Sequence, residues 1–205
     1  MRILALSSHP DLIVDTLRLG SDTILVREPD LEVSDWPEAD WVVSFGYRKI
    51  IPAPVINHFK GKIINIHISL LPYNRGAAPN FWSWFDDTSK GVTIHRVSPE
   101  IDKGEVLAQM LLEQAFFRDA MTLASTYEDL LIAASGLFER SWPLILENKL
   151  PPFIDRFVFP GLHKKPGTYH RAGQEKKFMV RLGGYDVPVV DVMQLGRCHR
   201  GHFVK

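Results

Sequence analysis

A chain of 205 residues, 45% of them hydrophobic, suits one domain with a real core and a small appendage. Lys and Arg total 24, as do Asp and Glu, so the formal net charge is zero; this argues against a nucleic-acid binder but leaves room for a local basic pocket. The single cysteine, Cys198, excludes an intramolecular disulfide and fits a reducing cytoplasm, and the apolar run within Met1–Ser8 is too brief for a signal peptide or a membrane span.

In chain order, Ile3–Ser7 predicts a strand that ends in the turn Ser7-Ser8-His9-Pro10. Asp11–Leu19 predicts a helix closed by Gly20, and Thr23–Val26 and Trp41–Phe45 predict two more strands, the second running into Gly46. Pro52–Phe59 predicts a short helix stopped by Lys60-Gly61, Ile63–His67 a fourth strand, and Ala78–Phe85 a helix with Pro79 in its first turn. Val92–Val97 and Val106–Leu111 predict two further strands. Next comes the clearest helix: Leu123, Tyr127, Leu130, Leu131, Ala134, Leu137 and Phe138 recur at three- and four-residue steps, Thr122 stands ready to cap it, and Pro143 marks its end or a kink.

Strands that alternate with helices imply an α/β fold with a doubly wound, mostly parallel, Rossmann-like sheet. The loop Ser98–Gly104 is too short for a crossover, so the pair it joins is expected to be antiparallel. Only two strands and one helix fit before Trp41, so the sheet is small at that edge. After Pro151-Pro152 the texture turns to prolines, glycines, histidines and lysines with short apolar runs such as Val187–Val192. The expected organisation is a catalytic domain over 1–150 and a small C-terminal appendage of loops and short strands over 151–205.

The chemistry concentrates between Lys62 and Gln109. In Ile64-Asn65-Ile66-His67, side chains two apart share a face, so Asn65 and His67 aim together near a strand's carboxyl end, where open α/β sheets bind ligands. Taken singly, Asn-x-His reads as a hydrogen-bonded structural pair, Ser69-Leu70-Leu71-Pro72 as a strand-to-turn segment and Asp102-Lys103-Gly104 as a turn. Taken together the residues fit acyl transfer to an amine: an amide N–H of Asn65 can meet a developing oxyanion, His67 can move protons near neutral pH, and Asp102, directly or through a water, can orient the imidazole. No metal is required, and neither HExxH nor CxxC spacing occurs.

Asn65-Ile66-His67-Ile68-Ser69-Leu70-Leu71-Pro72, Arg75-Gly76-Ala77-Ala78-Pro79 and Ile101-Asp102-Lys103-Gly104 with Ala108-Gln109 resemble, in order and spacing, the folate-dependent formyltransferase family. That family includes the methionyl-tRNA, glycinamide ribonucleotide and nucleotide-sugar enzymes, and the resemblance runs from Trp41 to the end of the long helix. It implies that Asn65, His67 and Asp102 are catalytic and that 10-formyltetrahydrofolate is the co-substrate, with no metal. The pterin pocket it implies is main chain after the third strand, at Phe45, Gly46, Tyr47, Ile50 and Ile51, and before the aspartate, at Ser98 and Ile101. Plain core packing reads equally well for Ile50 and Ile51.

A methionyl-tRNA enzyme would be expected to carry a second, basic domain, the folate-hydrolysing relative a preceding regulatory one, and a glycinamide ribonucleotide enzyme a glycine-rich loop where Ser7-Ser8-His9-Pro10 stands. Asn80-Phe81-Trp82-Ser83-Trp84-Phe85, Lys90-Gly91-Val92-Thr93-Ile94-His95 and Pro166-Gly167-Thr168-Tyr169-His170-Arg171 look instead like the nucleotide-sugar N-formyltransferases, which act on dTDP- or UDP-linked amino-dideoxy sugars for surface polysaccharide. The substrate side this implies includes Ser69, Asn74, Arg75, Gly76 and Asn80. Trp82, Tyr169, His170 and Arg171 complete it. The arginines can neutralise a pyrophosphate, and Tyr169 or Trp82 can stack on a sugar or pyrimidine. Trp82 and Trp84 read equally as helix core, and Arg171 as a solvated charge. Relatives of this kind are often dimers, so a cytoplasmic homodimer with no nucleic-acid or membrane partner is expected. The alternatives are a formyltransferase for another small amine, such as glycinamide ribonucleotide, or a non-catalytic folate- or nucleotide-binding domain.

Overall fold

The computed structural model describes residues 1–19, 21–27, 38–112, 121–149 and 166–201. Strand β1 (Arg2–Ser7) is buried on both faces from Ile3 to Ser7, as a strand with helices above and below must be. It pairs in parallel with β2 (Thr23–Arg27) on one side and β3 (Trp41–Phe45) on the other, and β3 pairs in parallel with β4 (Ile63–His67). The chain leaves the sheet after β4 through a two-residue strand, β5 (Arg75–Gly76). It returns antiparallel as β6 (Lys90–Arg96), which pairs with β4 and, again antiparallel, with β7 (Val106–Leu112). The order is β2-β1-β3-β4-β6-β7: four parallel strands and an antiparallel hairpin at one end, as the short Ser98–Gly104 loop requires.

Strand alternation divides the sheet into two differently used faces. Ile3, Val43, Phe45, Ile64, Ile66 and Ile94 meet α1 (Val14–Arg18) and the long α4 (Leu123–Leu146). In α4, Phe138 and Trp142 are fully buried, worth about 2–3 kcal/mol each by area. Leu4, Leu6, Val42 and Ile63 face the other way and pack under α2 (Ala53–Phe59). Farther along that second face, on β4, β6 and β7, the side chains turn polar, and this polar half holds the site.

Local chemistry accounts for the element ends. Lys60 (φ 45°) and Gly61 (φ 86°) stop α2 in left-handed backbone. At α4 the Thr122 hydroxyl accepts from the Ser125 N–H (3.1 Å) while the Ser125 hydroxyl accepts from the Thr122 N–H (3.0 Å), a reciprocal cap. Pro143 does not end α4, which runs on to Leu146.

Two expectations are corrected. The helix read over Asp11–Leu19 is broken: a tight turn at Pro10–Leu12 precedes α1, because Ile13 turns into the core and the Leu12 carbonyl is taken by the Ser135 hydroxyl (2.5 Å). Gly20, read as its stop, lies outside the described residues. The C-terminal region, expected as loops and short strands, is largely helical over its described residues 166–201, which hold one two-residue strand, β8 (Tyr169–His170), and two helices, α5 (Lys176–Leu182) and α6 (Val189–Gly201). Phe178, Val189 and Val192 pack with Phe81, Trp82, Trp84 and Phe85 of α3 (Pro79–Phe85) in a cluster of their own, so this region docks on its own chain. Gly196 permits the approach of α6: a Cβ there would lie 2.0 Å from the Phe85 carbonyl oxygen.

Candidate active site

The antiparallel pairing of β4 and β6 sets Asn65 opposite His95 and His67 opposite Thr93, so all four side chains share the polar face. Asn65 Nδ2 lies 3.1 Å from His95 Nε2. His95 Nδ1 lies 2.9 Å from the Arg96 carbonyl, which can only accept, so Nδ1 carries a proton; Nε2 accepts from Asn65 when the ring is neutral and can donate to Asp102 when it is protonated. The amide of Asn65 is thereby fixed with one N–H engaged and the second available. His95, 2% exposed, is the member of this group that sequence reasoning left without a role. Its signal was the alternation Val92-Thr93-Ile94-His95, which mirrors Asn65-x-His67, but only the strand register shows that the two pairs face each other.

His67 is tethered in the same manner, its Nε2 donating to the Asn74 carbonyl at 3.1 Å. Both rings also approach one carboxylate: His67 Nδ1 is 3.8 Å from Asp102 Oδ2, and His95 Nε2, the atom that meets Asn65, is 3.5 Å from Asp102 Oδ1. Asp102 reaches them from the β6–β7 loop in left-handed backbone (φ 50°) and accepts from the Gly76 N–H at 2.8 Å. Gly104 lets that loop fold back, since a Cβ there would lie 1.7 Å from the Arg96 carbonyl oxygen. Burial alone would push the Asp102 carboxyl up. The charge that His67 and His95 carry when protonated, the hydrogen bond His95 then gives and the Gly76 N–H outweigh it and hold the group well below the usual carboxylate range. The result is a carboxylate between two oriented imidazoles, beside an amide donor: parts for moving a proton and for meeting a developing oxyanion.

The turn after β4 is held from beneath. Thr93 donates to the Ser69 carbonyl (2.7 Å) and accepts from the Leu71 N–H (3.1 Å), and Gln109 Nε2 donates to the Leu71 carbonyl (2.8 Å). Of the residues expected on the substrate side, Ser69 spends its hydroxyl on the Tyr73 carbonyl, and Asn80 ties α3 to the Leu123 carbonyl (2.9 Å) and the Thr126 hydroxyl (3.2 Å). Asn74 is fully buried. Trp82 is 5% exposed and stacks on the His170 ring at 3.9 Å, and Trp84 is buried too, so both are core of α3. Arg75, Gly76, Tyr169 and His170 come together, because β5 pairs with β8. Tyr169 and Arg171 are exposed. Gly76 (φ 88°) is needed for that pairing, since a Cβ would lie 2.2 Å from the His170 carbonyl oxygen.

Of the residues expected to line the folate, Phe45 is buried in the α4-facing core and Ile51 in the α2-facing one. Gly46 and Ile50 are exposed, Ile50 by 77%, and Ile101 is 41% exposed on the aspartate loop. Tyr47 and Val97, the residue before Ser98, pack against the same α2-facing cluster, so the two loops rest on one support.

A family model described as "Formyl transferase" matches residues 28–129. A crystal structure of the formyltransferase PseJ from Anoxybacillus kamchatkensis, in complex with UDP-4,6-dideoxy-4-formamido-L-AltNAc and tetrahydrofolate, is 33% identical with a TM-score of 0.82, covering 96% of this chain and 100% of that one. The chain belongs to the formyltransferase family. Two curated relatives match over shorter stretches. The bifunctional polymyxin resistance protein ArnA of Wigglesworthia glossinidia brevipalpis is 34% identical over 54% of this chain and 17% of its own length. The methionyl-tRNA formyltransferase of Bacillus thuringiensis (strain Al Hakam) is 31% identical over 64% of this chain and 38% of its own length. This formyltransferase thus spans well under half of those two relatives. Among its described residues, no helix is long and apolar enough to cross a membrane, and no group of three or more His, Cys, Asp or Glu is set to hold a metal ion.

Proposed function

We propose that this formyltransferase moves the formyl group of 10-formyltetrahydrofolate onto the amino group of a nucleotide-linked amino-dideoxy sugar, UDP-linked in the first instance. The observation that carries the reading is the likeness to PseJ along the whole chain, C-terminal region included, and not only over the matched family segment. The exposed backbone at Gly46 and the exposed Ile50 and Ile101 suit a flat heterocycle read by main-chain groups, so the residues present fit a folate. Bound there, 10-formyltetrahydrofolate would supply the formyl carbon.

The geometry supports the following roles for this chain's own residues. The free N–H of Asn65 donates to the oxygen that gains charge as the amine attacks. His67 Nδ1 takes the proton the amine loses, and Asp102 stabilises the imidazolium so formed. His95 holds the Asn65 amide in its donating orientation. Tyr169 and Arg171, carried beside Arg75 by the β5–β8 pairing, meet the nucleotide end. The reading includes a cytoplasmic homodimer working in surface-polysaccharide synthesis.

The test is a transfer assay with 10-formyltetrahydrofolate and a panel of UDP- and dTDP-linked 3- and 4-amino sugars, with glycinamide ribonucleotide and methionyl-tRNA included. Mass spectrometry should find one added formyl group on a nucleotide sugar. A formylated ribonucleotide or tRNA with untouched sugars would reject the substrate class. In the same assay Arg171→Ala should raise the KM for the nucleotide sugar by roughly tenfold with little change in kcat, the mark of lost ground-state binding. An unchanged KM would remove Arg171 from the site.

A further inference from the structure

Asn74 sits in left-handed backbone (φ 56°), fully buried, with every polar position engaged. Its N–H donates to Thr168 Oγ1 (2.7 Å), its Nδ2 to Thr88 Oγ1 (2.7 Å), its Oδ1 accepts from Thr168 Oγ1 (3.1 Å), and its carbonyl accepts from His67 Nε2 (3.1 Å). Thr168 thus grips one residue twice, accepting from its backbone and donating to its side chain, which a hydroxyl can do at once. The Thr168 carbonyl also takes the Arg75 N–H at 3.1 Å. Thr168 lies outside the sheet's catalytic strands and comes from the C-terminal segment.

The consequence reaches His67. Because the Asn74 carbonyl can only accept, His67 Nε2 must carry the proton, and the lone pair of the neutral ring lies at Nδ1, the nitrogen that faces Asp102. Should that carbonyl swing away, the carboxylate would draw the proton to Nδ1 and leave no acceptor there.

We propose that Thr168 is a positioning residue, clamping Asn74 so that its carbonyl keeps His67 in the Nε2–H tautomer with the base nitrogen towards Asp102. The inference rests on the reading of His67 as the proton acceptor.

Nitrogen-15 NMR of histidine-labelled full-length protein, with His67 assigned by its loss in His67→Ala, reads the tautomer directly. The wild type should show a protonated Nε2 and an unprotonated Nδ1. Thr168→Val should populate the Nδ1–H form and lower kcat about tenfold, with the KM for 10-formyltetrahydrofolate nearly unchanged. Thr168→Ser, which keeps the hydroxyl, should recover both. A Thr168→Val protein with the wild-type tautomer, whatever its kcat, overturns the proposal. So does a wild-type His67 in the Nδ1–H form, a result that needs no variant to fold. Normal turnover by His67→Ala would instead reject the role given to His67, while the tautomer spectrum would still decide what Thr168 does.

Discussion

His67→Ala should lower kcat about a thousandfold while folate binding stays close to normal, because general acid–base transfer contributes roughly 10²–10⁴ in rate. Among the described residues the imidazole makes a hydrogen bond to the Asn74 carbonyl and side-chain contacts with Asp102 and His95, all within the site, so its removal should leave the sheet and both loops proposed for the folate in place. The loss should fall on kcat and kcat/KM alike, since the interaction arises only as the amine sheds its proton. Single-turnover formyl transfer at saturating substrate, with folate binding followed by fluorescence, separates the two quantities. Turnover within a few-fold of wild type would move proton transfer away from His67.

Asp102→Asn should cost roughly a hundredfold in kcat, less than the loss of the base, since the acceptor remains and only its charge partner goes. The same substitution has a signature in stability. The folded Asp102 carboxyl is held well below the usual range, against the push of its own burial, by His67, His95 and the Gly76 N–H. An unfolded Asp titrates near about 4, so between the two values the unfolded chain binds the extra proton and stability rises with pH. The contribution is therefore present above about 4 and lost as pH falls through the lower folded value. Thermal unfolding of wild type and Asp102→Asn, followed from neutral pH into acid, should show a wild-type advantage that shrinks below about pH 4. Parallel curves would mean that the carboxylate contributes nothing to the fold through its charge.

The sheet was legible because its signals are local. Ile63–His67 and Trp41–Phe45 have their predicted bounds, being short apolar or alternating runs closed by turn residues. The triad candidates were legible because Asn65 and His67 are two apart on one strand and Asp102 lies in a turn. His95 was not, since its place opposite Asn65 depends on a cross-strand register that no local pattern encodes. The C-terminal helices were missed for a related reason. In α5 only Phe178 is buried, so no helical repeat is visible, and in α6 the buried face of Val189, Val192 and Gly196 ends on a glycine that reads as a break. The β-branched run Val187–Val192 favours a strand by propensity, and packing against Phe85 overrides it. Asn74 and Asn80 were expected to face a ligand and instead spend their polar groups inside the molecule, a distinction that depends wholly on long-range partners.

The β5–β8 pairing has a bearing on how the molecule opens and closes. The amides of Asn74, Arg75 and Ala77 donate to Thr168 and His170, partners about 94 residues away, so bringing these segments together is an act of loop closure. Their exposure to solvent exchange is then governed by one event, the departure of the C-terminal strand, and not by fraying of the parallel sheet. That same departure would withdraw the support of the Asn74 carbonyl, while the Gly76 N–H would keep its partner, Asp102 Oδ2. A state opened in this way would keep the parallel sheet intact, and its free energy above the closed state would set how often these amides meet solvent.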